Sequence, residues 1–307
     1  MTIHDHEEFF ADLPVRNFND QEDASVGASF AWRIALDWQQ VDDGMTFEGV
    51  FDSFLMKRGA DQVTALIIGD WGHAGEGDAS KEVIDHLVKA SKRLGAMRAL
   101  FVGEITYEES EISWIHQSDV SPVLQAYPRL EVLRLRGGID LSLGPARHAT
   151  LRSLVIETGG LPPNILTELA SSDLPQLEHL ELWLGDSGYG WGSSMDDLAP
   201  VLSGRLFPKL QYLGLRDSEV ADEVAAAVAQ SPLLERISVL DLSLGTLGDA
   251  GAAALAKSPA VGNLKLLDVS HHYLSKDGLR ALKDIGIQIR ADDGQGDGDE
   301  RYVAVAE

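Results

Sequence analysis

Five side chains in the middle of the sequence belong to the types that most often dominate binding interfaces. They are Arg134, Arg136, Trp183, Tyr212 and Arg216. Arginine presents a planar fork of donors that pairs with carboxylates, while tryptophan and tyrosine offer large, rigid contact surfaces. The chain is otherwise poor in basic residues, with 25 Lys and Arg against 49 Asp and Glu. We therefore expect a binding site here, provided that the fold brings these residues together.

Two segments have the form of catalytic motifs but lack the partners that the chemistry needs. GDSG (185–188) is the form taken by the nucleophile segment of trypsin-like proteases, and no partner motif accompanies it. GYGWG (188–192) lacks the Gly-Lys-Ser/Thr ending and the glycine spacing of a phosphate-binding loop. Because no nucleophile–base pair emerges, we expect the protein not to be an enzyme.

Metal, cofactor and redox chemistry are not indicated either. The chain has no cysteine, which excludes thiolate ligands and disulfides and suits a reducing cytoplasm. His271 and His272 are adjacent, so on a strand they point to opposite sides. The acidic segment 292–300 lacks the residue order of a calcium loop. We expect no metal and no cofactor.

A repeated pattern provides the elements that would position the five residues. The form Leu-x-x-Leu-x-Leu recurs eight times, at intervals of 21 to 34 residues, which is typical of leucine-rich repeats. The second apolar anchor falls at Leu66, Leu100, Leu133, Leu154, Leu180, Leu213, Leu240 and Leu267. Short strands stacked in parallel would turn the fourth and sixth places of each copy inward. The fold class is therefore predicted as an α/β solenoid.

The segments between the strands are mostly predicted to be helices. Segments 80–95, 219–232, 249–259 and 276–286 have helical spacing or are rich in Ala and Leu, and each stops at Pro or Gly. Ser80 is a candidate N-cap. The segment 137–149 is too short for a full helix and is expected to loop across.

Two of the repeats carry a family resemblance. LDLSLGTLGDAGAAALAKSP (240–259) and LDVSHHYLSKDGLRAL (267–282) resemble ribonuclease-inhibitor-like leucine-rich repeats, and the whole chain resembles an uncharacterised family of bacterial leucine-rich repeat proteins. This resemblance implies a horseshoe with a curved parallel sheet on the concave face and helices on the convex face. The family's usual Asn after the strand is absent. Its place is taken by Trp71, Ile105, Gly138, Gly159, Gly185, Ser218, Gly245 and His272.

The predicted organisation has three parts. Residues 1–60 form an N-terminal cap with a divergent strand within 31–38 and a helix within 47–59. Residues 61–291 form the solenoid, which ends in a short strand within 285–291. Residues 292–307 form a flexible acidic tail, because the segment 292–300 has too few apolar residues to join a core.

The concave face of such a solenoid carries the candidate site. Its residues stand before, between and after the last two anchors of each strand: Arg134, Arg136, Glu157, His179, Glu181, Trp183, Tyr212, Arg216 and Asp241. The glycine-rich loop after β-segment 177–182 adds Tyr189 and Trp191. Two alternatives remain open, namely that the arginines pair with Glu157, Glu181 and Asp217, and that the loop aromatics fold back over the groove edge.

The leading functional hypothesis is a cytoplasmic scaffold that binds a protein or peptide along the concave face from Arg134 to Asp241. Because the arginines oppose the formal charge of −24, we expect the bound segment to be acidic. That charge argues against nucleic acid and membranes as partners. The alternative is a carrier whose tail RYVAVAE (301–307), with Arg301 and Tyr302, is bound or modified by a partner enzyme. The tail could instead pair with the last sheet edge.

Overall fold

A computed structural model describes residues 3–18, 25–72, 74–75, 80–296 and 300–306. In this part of the chain a single sheet contains twelve strands in sequence order. The strands are β1 (Phe9–Phe10), β2 (Leu13–Asn17), β3 (Ala31–Ile34), β4 (Ala65–Ile68), β5 (Ala99–Val102), β6 (Val132–Arg136), β7 (Ser153–Glu157), β8 (His179–Gly185), β9 (Tyr212–Ser218), β10 (Val239–Asp241), β11 (Leu266–Asp268) and β12 (Gln288–Arg290). Every neighbouring pair is parallel except β1 and β2, which form an antiparallel hairpin.

Helices connect the strands on the convex side. They are α1 (Trp38–Asp42), α2 (Phe47–Met56), α3 (Lys81–Ala90), α4 (Ser121–Ala126), α5 (Pro163–Ala170), α6 (Met195–Leu202), α7 (Ala221–Val228), α8 (Asp249–Lys257) and α9 (Lys276–Lys283). Consecutive helices pack side by side, as α7, α8 and α9 do. The predicted fold class, an α/β leucine-rich repeat solenoid, is confirmed.

The core lies between the sheet and the helices. The eight predicted anchors are buried, and neighbouring strands align them directly, so that Leu133, Leu154 and Leu180 stand side by side. Each strand adds a second buried residue two places later, such as Ile156 and Leu182. Side chains two apart share one face of a strand, so both rows point at the helices and leave the residues between them on the concave face.

The predicted helices fall within their segments, with one local difference at Ser80. Its side chain makes no capping bond, and its hydroxyl instead lies 2.9 Å from the hydroxyl of Ser118. The short segment 137–149 crosses as a loop, as expected, and pairs with its neighbour through the isolated bridge His116↔Ile139.

Backbone bonds between repeats replace the missing asparagine ladder. The amide of Gly103 donates to the carbonyl of Ile68 at 2.9 Å, and the amide of Thr246 donates to the carbonyl of Ser218 at 3.0 Å. The Thr246 hydroxyl donates to the Glu219 carbonyl at 2.7 Å. The turns therefore satisfy their polar backbone groups without the family's usual side chain.

The N-terminal hairpin was not predicted. Strand β2 pairs in parallel with β3, and the two turn residues, Ala11 and Asp12, have left-handed φ values of 50° and 63°. Such turns normally show Asn-Gly or Asp-Gly in the sequence, and that signal is missing here. The divergent strand β3 and the helix α2 lie where they were expected. The proposed boundaries at residues 60 and 291 remain predictions.

Residues 300–306 of the predicted flexible tail lie against the solenoid. The amide of Ala304 donates to the Leu244 carbonyl at 2.7 Å, and the amide of Val305 donates to Asp217 Oδ1 at 3.0 Å. The side chain of Val305 is buried in a small apolar cluster. This segment runs across the turns that follow the strands and does not pair with β12. Part of the acidic linker and the last residue of the predicted tail lie outside the described residues.

A candidate binding groove on the concave face

The middle strands bring the predicted site residues together in one groove. We call it the concave groove; its cavity has a volume of about 540 Å³. Its lining comprises Ile3, Asp5, His6, Glu7, Glu8, Arg134, Arg136, Val155, Glu157, His179, Glu181, Trp183 and Arg216. Strand pairing accounts for this arrangement, because Arg136 stands opposite Glu157 and Trp183 stands opposite Arg216. Tyr212 and Asp241 adjoin the groove on β9 and β10.

Glu157 organises one side of the groove. Its carboxylate accepts hydrogen bonds from Nε of Arg134 at 2.6 Å and from Nε of Arg136 at 2.7 Å. Arg136 also donates to the carbonyl of Ile105 at 2.6 Å. Both guanidinium groups lie over the ring of Phe101, with the Arg134 carbon 4.5 Å from its centroid. The two arginines are therefore fixed by a buried carboxylate and an aromatic face.

Glu181 organises the other side. Its Oε1 accepts from the Trp183 indole at 2.8 Å and from Nη1 of Arg216 at 2.6 Å. The Tyr212 hydroxyl lies 3.0 Å from Oε2 of Glu181 and 2.8 Å from Oδ2 of Asp241. The Tyr212 ring stacks on His179 with a centroid distance of 3.9 Å. These contacts form one network that spans β8, β9 and β10.

The charges of this network are strongly stabilised in their ionised forms. Burial would raise the pKa of Glu181, but hydrogen bonds from His179 and Trp183 and the charge of Arg216 outweigh it and hold the pKa far below its usual value. Burial likewise disfavours charged Arg216, yet Glu181 and Asp241 raise the pKa of Arg216 above its usual value. Burial beside these same carboxylates raises the pKa of the Tyr212 hydroxyl. The groove therefore keeps its ion pairs over the ordinary pH range.

Gly214 leaves the space that the network occupies. A Cβ at this position would stand 3.0 Å from Cγ of Glu181 and 3.1 Å from the ring of Tyr212. Gly214 pairs with Glu181 on one side and Asp241 on the other. The absence of a side chain lets the two neighbouring strands' polar groups meet above the backbone.

The N-terminal segment, residues 3–8, forms a wall of the groove that sequence reasoning missed. Glu7 pairs with Nη1 of Arg134 at 2.8 Å, and Ile3 packs in the apolar cluster of Trp183 and Val305. The segment is held by Glu104, which accepts from the Glu7 amide at 2.8 Å and pairs with buried Arg33. No periodic pattern marks these contacts of the N-terminal segment, because the partners stand 97 or more positions away in the sequence.

The predicted site residues divide into supporting and accessible groups. Arg136, Glu157, Glu181, Trp183 and Asp241 are buried. Arg134, His179, Tyr212 and Arg216 retain partial exposure. Trp183, which is 3% exposed, is therefore a packed residue and not the exposed contact surface that the strand pattern predicted.

The predicted loop and tail residues lie away from the groove. Trp191 is buried in the main core, and Tyr189 is half-exposed in the 3₁₀ helix Ser187–Tyr189. Arg301 pairs with Asp222 at 3.2 Å and Tyr302 is exposed near Tyr273. None of these four residues lines the concave groove.

The sequence analysis left open that Asp217 pairs with the arginines. In the structure Asp217 instead binds the tail, where it accepts a hydrogen bond from the Val305 amide. Burial raises the pKa of Asp217 well above its usual value, against the opposing bond from the Val305 amide and the charge of Arg216. Its Oδ2 has no hydrogen-bond partner among the described residues. The arginine partners are instead Glu157, Glu181 and the previously unassigned Glu7, with Asp241 3.5 Å from Nε of Arg216.

The described residues contain no group of three or more His, Cys, Asp or Glu that could hold a metal ion. Over that same part of the chain, no helix has both the length and the apolar character needed to cross a membrane.

Comparisons with known proteins place the chain by its fold. No protein-family model matches the sequence, and no curated protein matches it. A crystal structure of a Bacteroides fragilis protein matches with a TM-score of 0.84 and 30% identity, over 91% of this chain and 79% of that one. An internalin from Listeria monocytogenes matches over 92% of this chain and 80% of its own, but at 12% identity and a TM-score of 0.38, which supports no conclusion. The narrower likeness to the ribonuclease-inhibitor class remains a prediction. With its repeats confirmed, the chain is a leucine-rich repeat protein that belongs to the same family as the Bacteroides fragilis protein.

Proposed function

We propose that the protein is a non-catalytic scaffold that binds an extended peptide segment of a partner protein in the concave groove. One observation carries this proposal: the accessible side chains are held in place by carboxylates, of which Glu157, Glu181 and Asp241 are buried. Arg134 is fixed by Glu157 and Glu7, while Tyr212 and Arg216 are fixed by Glu181 and Asp241. Rigid side chains lose little conformational freedom on binding, so the groove is preorganised. Concave solenoid faces are in general binding surfaces.

The open length of the concave face sets the size of the bound segment. The N-terminal hairpin covers the strands before β6, and the candidate face from Arg134 to Asp241 therefore comprises strands β6 to β10. Five strands spaced ~4.8 Å apart span roughly 20 Å. An extended chain advances about 3.3 Å per residue, so about six residues fit. This is shorter than a segment spanning the whole concave arc.

The charge of the groove changes the expected partner. Arg134, Arg136 and Arg216 bring three positive charges, whereas six carboxylates bring negative ones: Asp5, Glu7, Glu8, Glu157 and Glu181 in the lining and Asp241 beside it. The arginines are already paired, so the expected preference for an acidic segment loses its basis. We expect a segment that offers carbonyl oxygens to Arg134 and Arg216 and a flat or apolar side chain to the stacked pair of His179 and Tyr212.

A peptide library tests the proposal directly. Random peptides displayed on phage are selected against the full chain, and the strongest binder is synthesised and measured by fluorescence anisotropy. We expect Arg134→Ala and His179→Ala each to weaken its binding roughly tenfold, a loss of about 1.4 kcal/mol. Both residues are partly exposed, so the fold should survive, and circular dichroism checks this.

A matched arginine on the convex side provides the control. Arg280 on α9 is 70% exposed and pairs only with Asp277 among the described residues. Arg280→Ala should change peptide affinity less than twofold. If all three variants bind the selected peptide as the original chain does, the binding site lies elsewhere and the proposal fails.

The carrier hypothesis is less well supported. Modification of Val305 would require the tail to detach, since its side chain is buried. Among residues 301–306, Arg301 and Tyr302 are the exposed ones, and the Arg301 side chain is paired with Asp222. Intact-mass measurement of protein from its natural host tests this alternative, because a modified tail adds mass. The proposed scaffold is also expected to be cytoplasmic, because a sequence without cysteine suits a reducing compartment.

A further inference from the structure

A second groove lies outside the concave face, at the edge where strands β3 to β5 end. We call it the acidic aromatic groove; its volume is about 720 Å³. It is lined by Trp38, Val41, Asp42, Asp70, Gly75, Tyr107, Glu109, Ser110, Glu111 and Trp114. Trp38 begins α1, and Trp114 ends the 3₁₀ helix Ile112–Trp114. The loops after neighbouring parallel strands meet at one edge, which brings these distant positions together.

Exposed aromatic rings are concentrated in this groove. Trp38, Tyr107 and Trp114 are 76%, 46% and 56% exposed. They make up three of the eight large hydrophobic residues that are strongly exposed in the described part of the chain. A contiguous apolar patch of this kind marks an interaction site more often than chance exposure does. Trp and Tyr are also among the residues that dominate binding energies at interfaces.

The charge of the groove is negative throughout. Among the described residues, four carboxylates line it and no Lys, Arg or His does. Two of them are engaged from within: Glu109 accepts from the Thr106 amide at 2.7 Å and lies 3.6 Å from Nη2 of Arg33, and Asp70 accepts from the Gly72 amide at 2.9 Å. Asp42 and Glu111 form no ion pair among the described residues. The groove therefore offers uncompensated negative charge beside aromatic faces.

We propose that the acidic aromatic groove binds a basic segment of a partner protein, with an arginine or lysine side chain held between the rings of Trp38 and Trp114. A cation over an aromatic face is attracted by the negative face of the ring. Carboxylates beside the rings add a direct charge attraction. The net charge of −24 adds long-range attraction for a basic partner. This site is separate from the concave groove, so it stands or falls independently of the function proposed there.

A designed peptide serves as the probe. A labelled peptide of three Gly-Arg-Ala repeats is titrated with the full chain at about 150 mM salt, where weak surface attraction is screened. The same peptide with Gln for Arg is the neutral control. We expect the arginine peptide to bind at least tenfold more tightly than the glutamine peptide.

Variants distinguish binding in the acidic aromatic groove from attraction to the overall negative charge of the protein. The double variant Trp38→Ala/Trp114→Ala keeps the net charge, and we expect it to weaken binding of the arginine peptide roughly tenfold. Met56→Ala, which removes an exposed apolar side chain outside the groove, should change it less than twofold. Glu111→Gln should weaken binding more than Glu235→Gln, which removes the same charge from an exposed site elsewhere.

Three results would overturn the proposal. The first is equal binding of the arginine and glutamine peptides. The second is unchanged binding in the double tryptophan variant, which would assign the affinity to the overall charge. The third is competition by tetramethylammonium at concentrations equal to the peptide's own, which would identify a pocket for small cations in place of a peptide site.

Discussion

The two halves of the concave face share one scaffold but differ in what covers them. Strands β3 to β5 carry Ala65, Ile67 and Phe101 on this side, and they are buried beneath Phe10 of the N-terminal hairpin. Strands β6 to β10 carry the ion-paired network and remain partly open. Both halves have the same buried anchors and the same parallel register. The repeat pattern therefore fixes the scaffold, and the residues between the anchors decide whether a stretch of sheet becomes core or groove.

Physical chemistry accounts for the division. Alanine and isoleucine leave a smooth apolar surface that gains stability when the hairpin covers it. Covering the whole ion-paired network of β6 to β10 would remove its charges from water, and that penalty can exceed the attraction between the partners. The covered half does hold the buried pair of Arg33 and Glu104, but its other concave side chains in this row are apolar. The hairpin therefore stops at Phe101, whose ring lies under Arg134 and marks the boundary between the two halves.

The largest expected effect tests this boundary. Phe101→Ala should lower the free energy of unfolding by about 3–5 kcal/mol, because it empties a fully buried site. Val155→Ala, two strands further in the same row, should cost less than ~1 kcal/mol because the site is half-exposed. Urea unfolding of both variants measures the contrast. If the two variants lower the free energy of unfolding equally, the covered and open halves do not differ in how deeply this row of side chains is buried.

Trp183→Ala sharpens the comparison within the open half. We expect a loss of about 3 kcal/mol, since the side chain is packed against Ile3 and Val305 and bonded to Glu181. The strand pattern alone predicts less than ~1 kcal/mol for a concave residue. Thermal unfolding decides between the two values for Trp183→Ala. Leu180→Ala is the reference variant, and we expect it to cost roughly 2–5 kcal/mol.

The tail is expected to have an intermediate effect. Val305→Ala removes two buried methyl groups and should cost about 1–2 kcal/mol. Ala304, whose side chain is half-buried, provides the comparison: Ala304→Ser should change the free energy of unfolding less than Val305→Ala does. If neither change is detectable by urea unfolding, the docked tail contributes nothing to the open half.

The smallest effect depends on pH. The raised pKa of Asp217 means that the folded state holds its proton more strongly than the unfolded state does. Its contribution is fully present below the usual pKa and is lost as pH rises toward the raised value. Asp217→Asn cannot ionise and keeps an oxygen for the Val305 amide. Its stability relative to the original chain should therefore increase from pH 4 to pH 8 in urea unfolding. A constant difference across this range would contradict a raised pKa.

The sequence predicts one class of contact well and another poorly. Anchors such as Leu133 and Leu180 recur at fixed places, so strand register and the meeting of Arg136 with Glu157 follow from alignment alone. The burial of Trp183 does not follow, because its neighbours Ile3 and Val305 come from segments without a repeat. Glu7 was missed for the same reason. The acidic aromatic groove was also not predicted, since Trp38, Tyr107 and Trp114 stand in segments of unequal length that connect the strands.

The apolar cluster that contains both Ile3 and Val305 changes how this repeat array should unfold. In a solenoid each repeat touches its neighbours, so such arrays can lose structure from one end while the rest persists. Here segments from opposite ends of this chain share one apolar cluster on the middle repeat. Fraying at either end must first break that cluster, which couples the outer repeats to the central ones. Because the outer and central repeats are coupled in this way, we expect the array to unfold in a single cooperative transition.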